Sequence, residues 1–253
     1  MGIQKVDGLV GADGKPLKTD DDRLPKVLIG IPCGMQTFVA FEDSMQQAIR
    51  GVGTYFEGVI NRAMGYITAD ARNQLAKQAL EGDFDYLFFM DSDMIFPAGT
   101  LVKMLRRTAE IPEPELPVLS GIYNTRSDHR LNVYKWLEGK HTYQSVDGKQ
   151  DSDFHLGADE LYVADGCGTG CMLIDMAVFE EIEWPWFTYE YWQGPSGKRE
   201  WWSEDLVFCK RLYDKGIHVY FDNKIVCKHI LPSVVYQVSD DEYQVERISG
   251  EVY

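Results

Sequence analysis

Short apolar runs alternate along the chain with stretches whose apolar residues recur at helical spacing. Lys26 to Pro32 (Lys-Val-Leu-Ile-Gly-Ile-Pro) is an uninterrupted apolar run closed by Pro32 and Gly34, the pattern of a strand buried on both faces. Phe41, Met45, Ala48 and Ile49 predict a helix over 41–50, and the Gly-broken stretch 51–65 predicts a second strand around 54–60. Ala71, Leu75, Ala79 and Leu80 form the buried stripe of a helix over 68–80, stopped by Gly82. Tyr86 to Met90 reads as another buried strand. Pro97 opens a helix with Leu101, Val102, Met104 and Leu105 on its apolar face. Pro112, Pro114 and Pro117 mark a linker before a strand over 118–123.

Later segments are more irregular. Residues 127–159 are polar with scattered Tyr and Trp, which predicts a hairpin insertion. A Gly-rich turn within 165–175 leads into the strand Cys171-Met172-Leu173-Ile174, followed by a helical stretch over 176–182. Residues 184–202 read as an aromatic loop, 203–215 as an amphipathic helix, and 219–221 and 224–230 as closing strands. Strands alternating with helices predict an α/β fold with a doubly wound, mostly parallel central sheet. One domain spans 25–238, after a polar, loosely packed leader (1–24) and before an acidic, mobile tail (239–253).

Composition narrows the chemistry. At 253 residues and 45% apolar content the chain suits one globular domain. Its 25 basic and 40 acidic residues give a net charge of −15, which argues against broad attraction to nucleic acid or an anionic membrane. An acidic protein that handles a phosphate ligand needs a metal or well-placed Arg to offset repulsion. No apolar run approaches the ~20 residues of a membrane span, and residues 1–24 lack the apolar core of a signal peptide. The five Cys are odd in number and sit among apolar neighbours, as reduced buried thiols in a cytoplasmic setting would. Cys167, Cys171, Cys227 and His229 are a conceivable zinc set, but their spacing matches no standard zinc pattern.

Two acidic clusters stand out. The strand Tyr86–Met90 runs directly into Asp91-Ser92-Asp93, placing two carboxylates at the C-terminal end of a strand, where open α/β sheets hold their ligands. In extended backbone both project to one side, about 6–7 Å apart, a spacing suited to a hard divalent cation or to one cation and one sugar hydroxyl. A solvated turn after the strand gives the same residues. The second cluster is Trp201-Trp202-Ser203-Glu204-Asp205. Ser203 suits a helix N-cap and the acids suit a first turn, so capping alone accounts for them. Two adjacent Trp beside a carboxylate also form a platform that holds a sugar face and deprotonates its hydroxyl. His229, at a strand end, adds a further ligand type, and Arg72 of Ala71-Arg72-Asn73 could clamp a diphosphate.

In this order (Ile31-Pro32, Ala71-Arg72-Asn73, Phe88 to Asp93, Gly168-Thr169-Gly170 into Cys171 to Ile174, Ser203-Glu204-Asp205, His229) the chain resembles the GT-A-fold glycosyltransferases of family 2 over about residues 26–232. It is similar to the stand-alone transferases of bacterial and phage genomes. The resemblance implies a GT-A fold, Rossmann-like, with a small antiparallel portion to its sheet. It further implies a nucleoside-diphosphate sugar donor, a UDP-sugar ahead of a GDP-sugar, and Mn²⁺ or Mg²⁺ as cofactor. Asp93 would bind the metal, Asp91 the metal or the ribose, and His229 would be the third protein ligand. Pro32, Arg72, Ser92, Gly168 and Gly170 would face the donor, the glycines by letting backbone approach the sugar. Glu204 and Asp205 would be the catalytic pair, with Asp205 the general base of an inverting transfer, and Trp201 and Trp202 would lie on the acceptor side.

The sequence shows no clear acidic residue to hold the nucleotide base; Glu57 and Asp70 are the available ones. A retaining transferase, a nucleotidyltransferase or a non-catalytic nucleotide-sugar module are the competing readings. The absence of a basic residue in Pro32 to Thr37 counts against the second. The acceptor is open: a sugar or glycan is favoured, and a modified DNA base is possible.

Overall fold

The computed structural model describes residues 4–5, 23–126, 129–146, 160–193, 199–231, 234–237 and 244–247. Most of the leader, much of the 127–159 insertion and most of the tail lie outside them. A central sheet has the strand order Gln4–Lys5, Leu161–Ala164, Val219–Val226, Val118–Ile122, Cys171–Asp175, Tyr86–Met90, Lys26–Cys33, Glu57–Met64. Lys26–Cys33 pairs in parallel with both Glu57–Met64 and Tyr86–Met90, and Val219–Val226 pairs in parallel with Val118–Ile122. Cys171–Asp175 and Leu161–Ala164 run against their neighbours. The direction of Cys171–Asp175 is not legible in its sequence, because an apolar run buried on both faces has the same pattern in either orientation.

Side chains alternate between two cores, one on each face of the sheet. On Tyr86–Met90, Leu87 and Phe89 enter the core beneath the helices Thr68–Glu81 and Glu204–Asp214; Phe88 and Met90 enter the one beneath Val39–Ala48 and Thr100–Thr108. All four are fully buried, each contributing about 1.5–3 kcal/mol of burial free energy. Helices on both faces make the fold doubly wound. No described helix is long and apolar enough to cross a membrane.

Several elements depart from the sequence reading. Residues 184–202 contain a hairpin, Glu190–Gln193 against Arg199–Trp202, rather than a loop. Within the insertion, Val133–Leu137 pairs with Thr142–Ser145. In the tail, Gln244–Arg247 pairs with Val234–Gln237. All five Cys are free and buried. Cys167 meets Cys209, and Cys171 meets Cys227, so the three Cys considered for zinc are split between two thiol contacts, and His229 bonds elsewhere, to Asn124 and Arg126.

Candidate functional site

At the C-terminal ends of Lys26–Cys33 and Tyr86–Met90 lies a cleft of about 190 Å³. Pro32, Cys33 and Gly34 line one wall, Tyr66, Thr68 and Ala71 a second, and Asp91, Ser92, Asp93 and Arg126 the rest. The β-ladders explain the convergence. Asp91 N–H donates to the Gly170 carbonyl at 2.9 Å, continuing the Met90–Cys171 register past the strand end. The two-residue strand Met94–Ile95 pairs with Lys228–Leu231, with His229 opposite Met94, and Ile230 N–H donates to the Asp93 carbonyl at 2.7 Å. Backbone pairing therefore sets His229 beside Asp93 across more than a hundred residues of sequence.

His229 is ready to be a ligand through one nitrogen. Its Nδ1 lies 2.7 Å from the Asn124 carbonyl, an acceptor only, so Nδ1 carries the proton and the Nε2 lone pair points into the site. Burial lowers its pKa, and the ring packs edge-on to Tyr123 at 5.4 Å. Nε2 is 3.8 Å from Asp93 Oδ1. The Arg126 guanidinium occupies this junction: it is ion-paired with Asp93 Oδ2, and its Nε donates to His229 Nε2 at 3.2 Å.

Asp91 turns elsewhere. Arg72 Nη2 donates to both its oxygens, at 2.9 and 3.1 Å, and Arg72 Nε donates to Glu204 Oε1 at 3.2 Å. The two acidic clusters thus meet on one buried guanidinium, stacked 5.2 Å from the Phe89 ring centre. Its Nη1 is buried with no hydrogen-bond partner among the described residues. Glu204 is buried and also bonded by the Tyr189 hydroxyl, so it is an anchor for Arg72 rather than an exposed reactive acid. Next in the motif, the Asn73 amide pairs with both backbone groups of Phe187, at 2.7 and 3.0 Å, fastening the segment that leads to the Trp hairpin.

Asp205 opens the helix Glu204–Asp214. Ser203 holds the N-cap position, but its hydroxyl donates to Asp205 Oδ1 instead of capping a backbone N–H. Leu206 N–H donates to the same oxygen at 2.8 Å, and among the described residues Oδ2 accepts no hydrogen bond. Desolvation, then the neighbouring Glu204 charge, raise the Asp205 pKa to about 6. A carboxylate of that pKa, with one oxygen fixed and the other open, is matched to general-base work near neutral pH.

Three expectations need correction. The space a Cβ would fill at Gly168 is taken by the Tyr123 hydroxyl, and at Gly170 by the same hydroxyl at 2.8 Å and Asp91 Oδ2 at 3.1 Å. On their Cβ side these glycines make room for Tyr123, whose oxygen accepts from Gly170 N–H at 2.9 Å. Trp201 is exposed beside Tyr189, whereas Trp202 packs inward on Trp136 and Tyr143, since successive strand residues face opposite ways. Glu57 pairs with Lys26 at the end of the edge strand away from the cleft, and Asp70 does not line it; Tyr66 stands there instead. Arg126 and Tyr66 are single residues at a turn and a bend with no periodic or paired signal, and Tyr123 reads from the sequence only as the end of a strand.

No family model matches the chain. No curated protein sequence matches it either. Solved structures do. One is A197 from STIV, with a TM-score of 0.57 and 18% identity over 90% of this chain and 100% of that one. Another is GalNAc-T7 with UDP, GalNAc and Mn²⁺, with a TM-score of 0.53 and 13% identity over 84% of this chain. The fold is a GT-A, Rossmann-like fold. This chain spans 45% of the GalNAc-T7 chain, so the likeness extends to the fold and no further.

Metal chemistry can be judged from the donor set. Among the described residues no group of three or more His, Cys, Asp or Glu converges to cage an ion. Asp93 and His229 Nε2 form a two-donor pair with a cation, Arg126, already between them. A carboxylate and an imidazole suit Mn²⁺ where ligand oxygens complete the coordination. Asp91, held by Arg72, is not a member of that pair.

Proposed function

We propose that the chain is a metal-dependent glycosyltransferase that moves a sugar from a nucleoside-diphosphate sugar to an acceptor hydroxyl with inversion. The observation that carries this reading is the Asp93–His229 pair at the lip of the cleft, with its imidazole tautomer fixed and a cation already accommodated. Asp93 and His229 would hold Mn²⁺ or Mg²⁺, which supplies Lewis-acid neutralisation of the diphosphate. Pro32 and Tyr66 border the nucleoside, and Asp91, its charge offset by Arg72, receives a ribose hydroxyl. Asp205 Oδ2 takes the acceptor's hydroxyl proton as that oxygen bonds to the anomeric carbon. The bond from that carbon to the diphosphate breaks with its electron pair leaving on the nucleotide. Exposed Trp201 and Tyr191 offer an aromatic face for a sugar or glycan acceptor. The UDP in the GalNAc-T7 structure favours a UDP-sugar donor, and the free thiols suit a cytoplasmic setting.

Calorimetric titration of UDP and of GDP, with and without Mn²⁺, tests this on wild type and Asp93→Ala. Metal-dependent binding of one nucleotide, lost in the variant, is expected. Nucleotide binding indifferent to both metal and substitution overturns the metal-dependent reading.

A further inference from the structure

The metal-binding pair proposed above is engaged by a cation of the chain's own. Arg126 pairs with Asp93 Oδ2 and donates to His229 Nε2, using the very atoms an ion would need. A ring nitrogen has one lone pair, so it cannot serve a guanidinium and a metal together. The two partners are also unequal in mobility. His229 is fixed by Asn124 and the β-ladder, and the Asp93 backbone is tied to Ile230, while the Arg126 side chain is 55% exposed on a turn. When the junction opens, Arg126 is the part that moves.

The move has a destination. Arg126 lines the same cleft as Pro32 and Gly34, and a guanidinium fork matches a phosphate as well as a carboxylate. Charge also favours the present arrangement in the absence of ligand. Arg72 offsets Asp91 and Glu204, and Arg126 offsets Asp93, in a chain of net charge −15. With a doubly charged ion at Asp93 that need disappears, and an incoming diphosphate creates a new one. We propose that Arg126 is a resident counter-cation that blocks the metal position in the ligand-free protein and transfers to the donor's diphosphate when nucleotide enters. Metal and nucleotide binding thereby become mutually dependent. This rests on the proposed roles of Asp93 and His229.

Mn²⁺ alone, nucleotide alone and both together are titrated into wild type, Arg126→Ala, Arg126→Lys and Asp93→Ala, read by calorimetry and by the water-proton relaxation of bound Mn²⁺. UDP is the nucleotide, or GDP if that is the one that binds. In wild type the nucleotide tightens Mn²⁺ binding by about 5–150-fold, the range of ordinary coupling between sites. Arg126→Ala binds Mn²⁺ alone at least about fivefold more tightly than wild type, and most of the nucleotide's enhancement disappears. Arg126→Lys, which keeps the charge, stays closer to wild type. Circular dichroism and melting curves confirm that the variants fold, as a substitution on an exposed turn should allow. Should Arg126→Ala bind free Mn²⁺ no better than wild type, while wild type binds Mn²⁺ with nucleotide and Asp93→Ala does not, the blocking role is refuted and the metal site stands. Absence of Mn²⁺ binding in every protein, with nucleotide present, refutes both.

Discussion

Replacing Arg72 with Met tests whether one buried guanidinium joins the two acidic clusters. The side chain is 3% exposed, between Asp91 at 26% and Glu204 at 9%. Met fills much of the same volume over Phe89, so the loss is chiefly electrostatic: two carboxylates lose their shared counter-charge. Removing one partner of a buried pair destabilises by about 3–5 kcal/mol, a large part of the 5–15 kcal/mol that keeps a domain folded. At about 2–4 °C per kcal/mol for a domain of this size, the melting temperature falls by about 6–20 °C. Urea denaturation followed by tryptophan fluorescence gives the free energy, and thermal melts give the shift. A second variant isolates the cause: adding Glu204→Gln to Arg72→Met removes one stranded charge and recovers part of the loss. A single variant within about 1 kcal/mol of wild type, or a double variant no better than the single, refutes the bridge.

Other substitutions separate the remaining roles. Because Asp205 must be ionised to accept a proton and its pKa is raised to about 6, kcat/KM for sugar transfer rises with pH through about 6; Asp205→Asn loses this acidic limb and about 10²–10⁴-fold in rate. A pH profile flat down to pH 5 in wild type contradicts the assignment. Gly168→Ala drives a methyl into the Tyr123 hydroxyl and destabilises by about 1–3 kcal/mol in urea denaturation, a loss reduced in Gly168→Ala/Tyr123→Phe. Trp201→Ala leaves stability within about 0.5 kcal/mol and raises KM for the acceptor, while Trp202→Ala lowers stability by about 2–3 kcal/mol. Equal effects of the two in denaturation remove the distinction between platform and packing.

Legibility in the sequence followed locality. The strand Tyr86–Met90 matches its apolar run residue for residue, and the helix Thr68–Glu81 matches its stripe to within one residue. Both signals are contained in a few turns of chain. The four-residue strand Leu161–Ala164 is not legible, because so short a run beside a Gly-rich turn carries no period of its own. The Trp hairpin reads as a loop in the sequence because Gly194 and Gly197 dominate its pattern. Within the site, Asp91, Asp93, Asp205 and His229 are chemically conspicuous in the sequence; Asp93 and His229 face each other, and Asp91 meets Arg72. The partner choices are not legible: Arg72 and Glu204 are 132 residues apart, and which guanidinium each of the two aspartates meets is set by the tertiary fold. Arg126 depends on tertiary context in the same way. A lone Arg in a turn has many possible neighbours.

The two reversed strands bear on how such a protein can acquire new partners. Val118–Ile122 runs out toward the cleft, and the chain re-enters the sheet at Leu161, opposite Asp222. A detour that leaves and returns on one side is an interchangeable module. Doubling its length adds only about 0.6 kcal/mol of closure entropy and shifts no strand register. Lengthening the Thr68–Glu81 crossover instead would rotate Arg72 away from Asp91. The stretch beyond Arg126 can therefore vary in length while the ladders that set Asp91 beside Gly170 and Asp93 beside His229 keep their register.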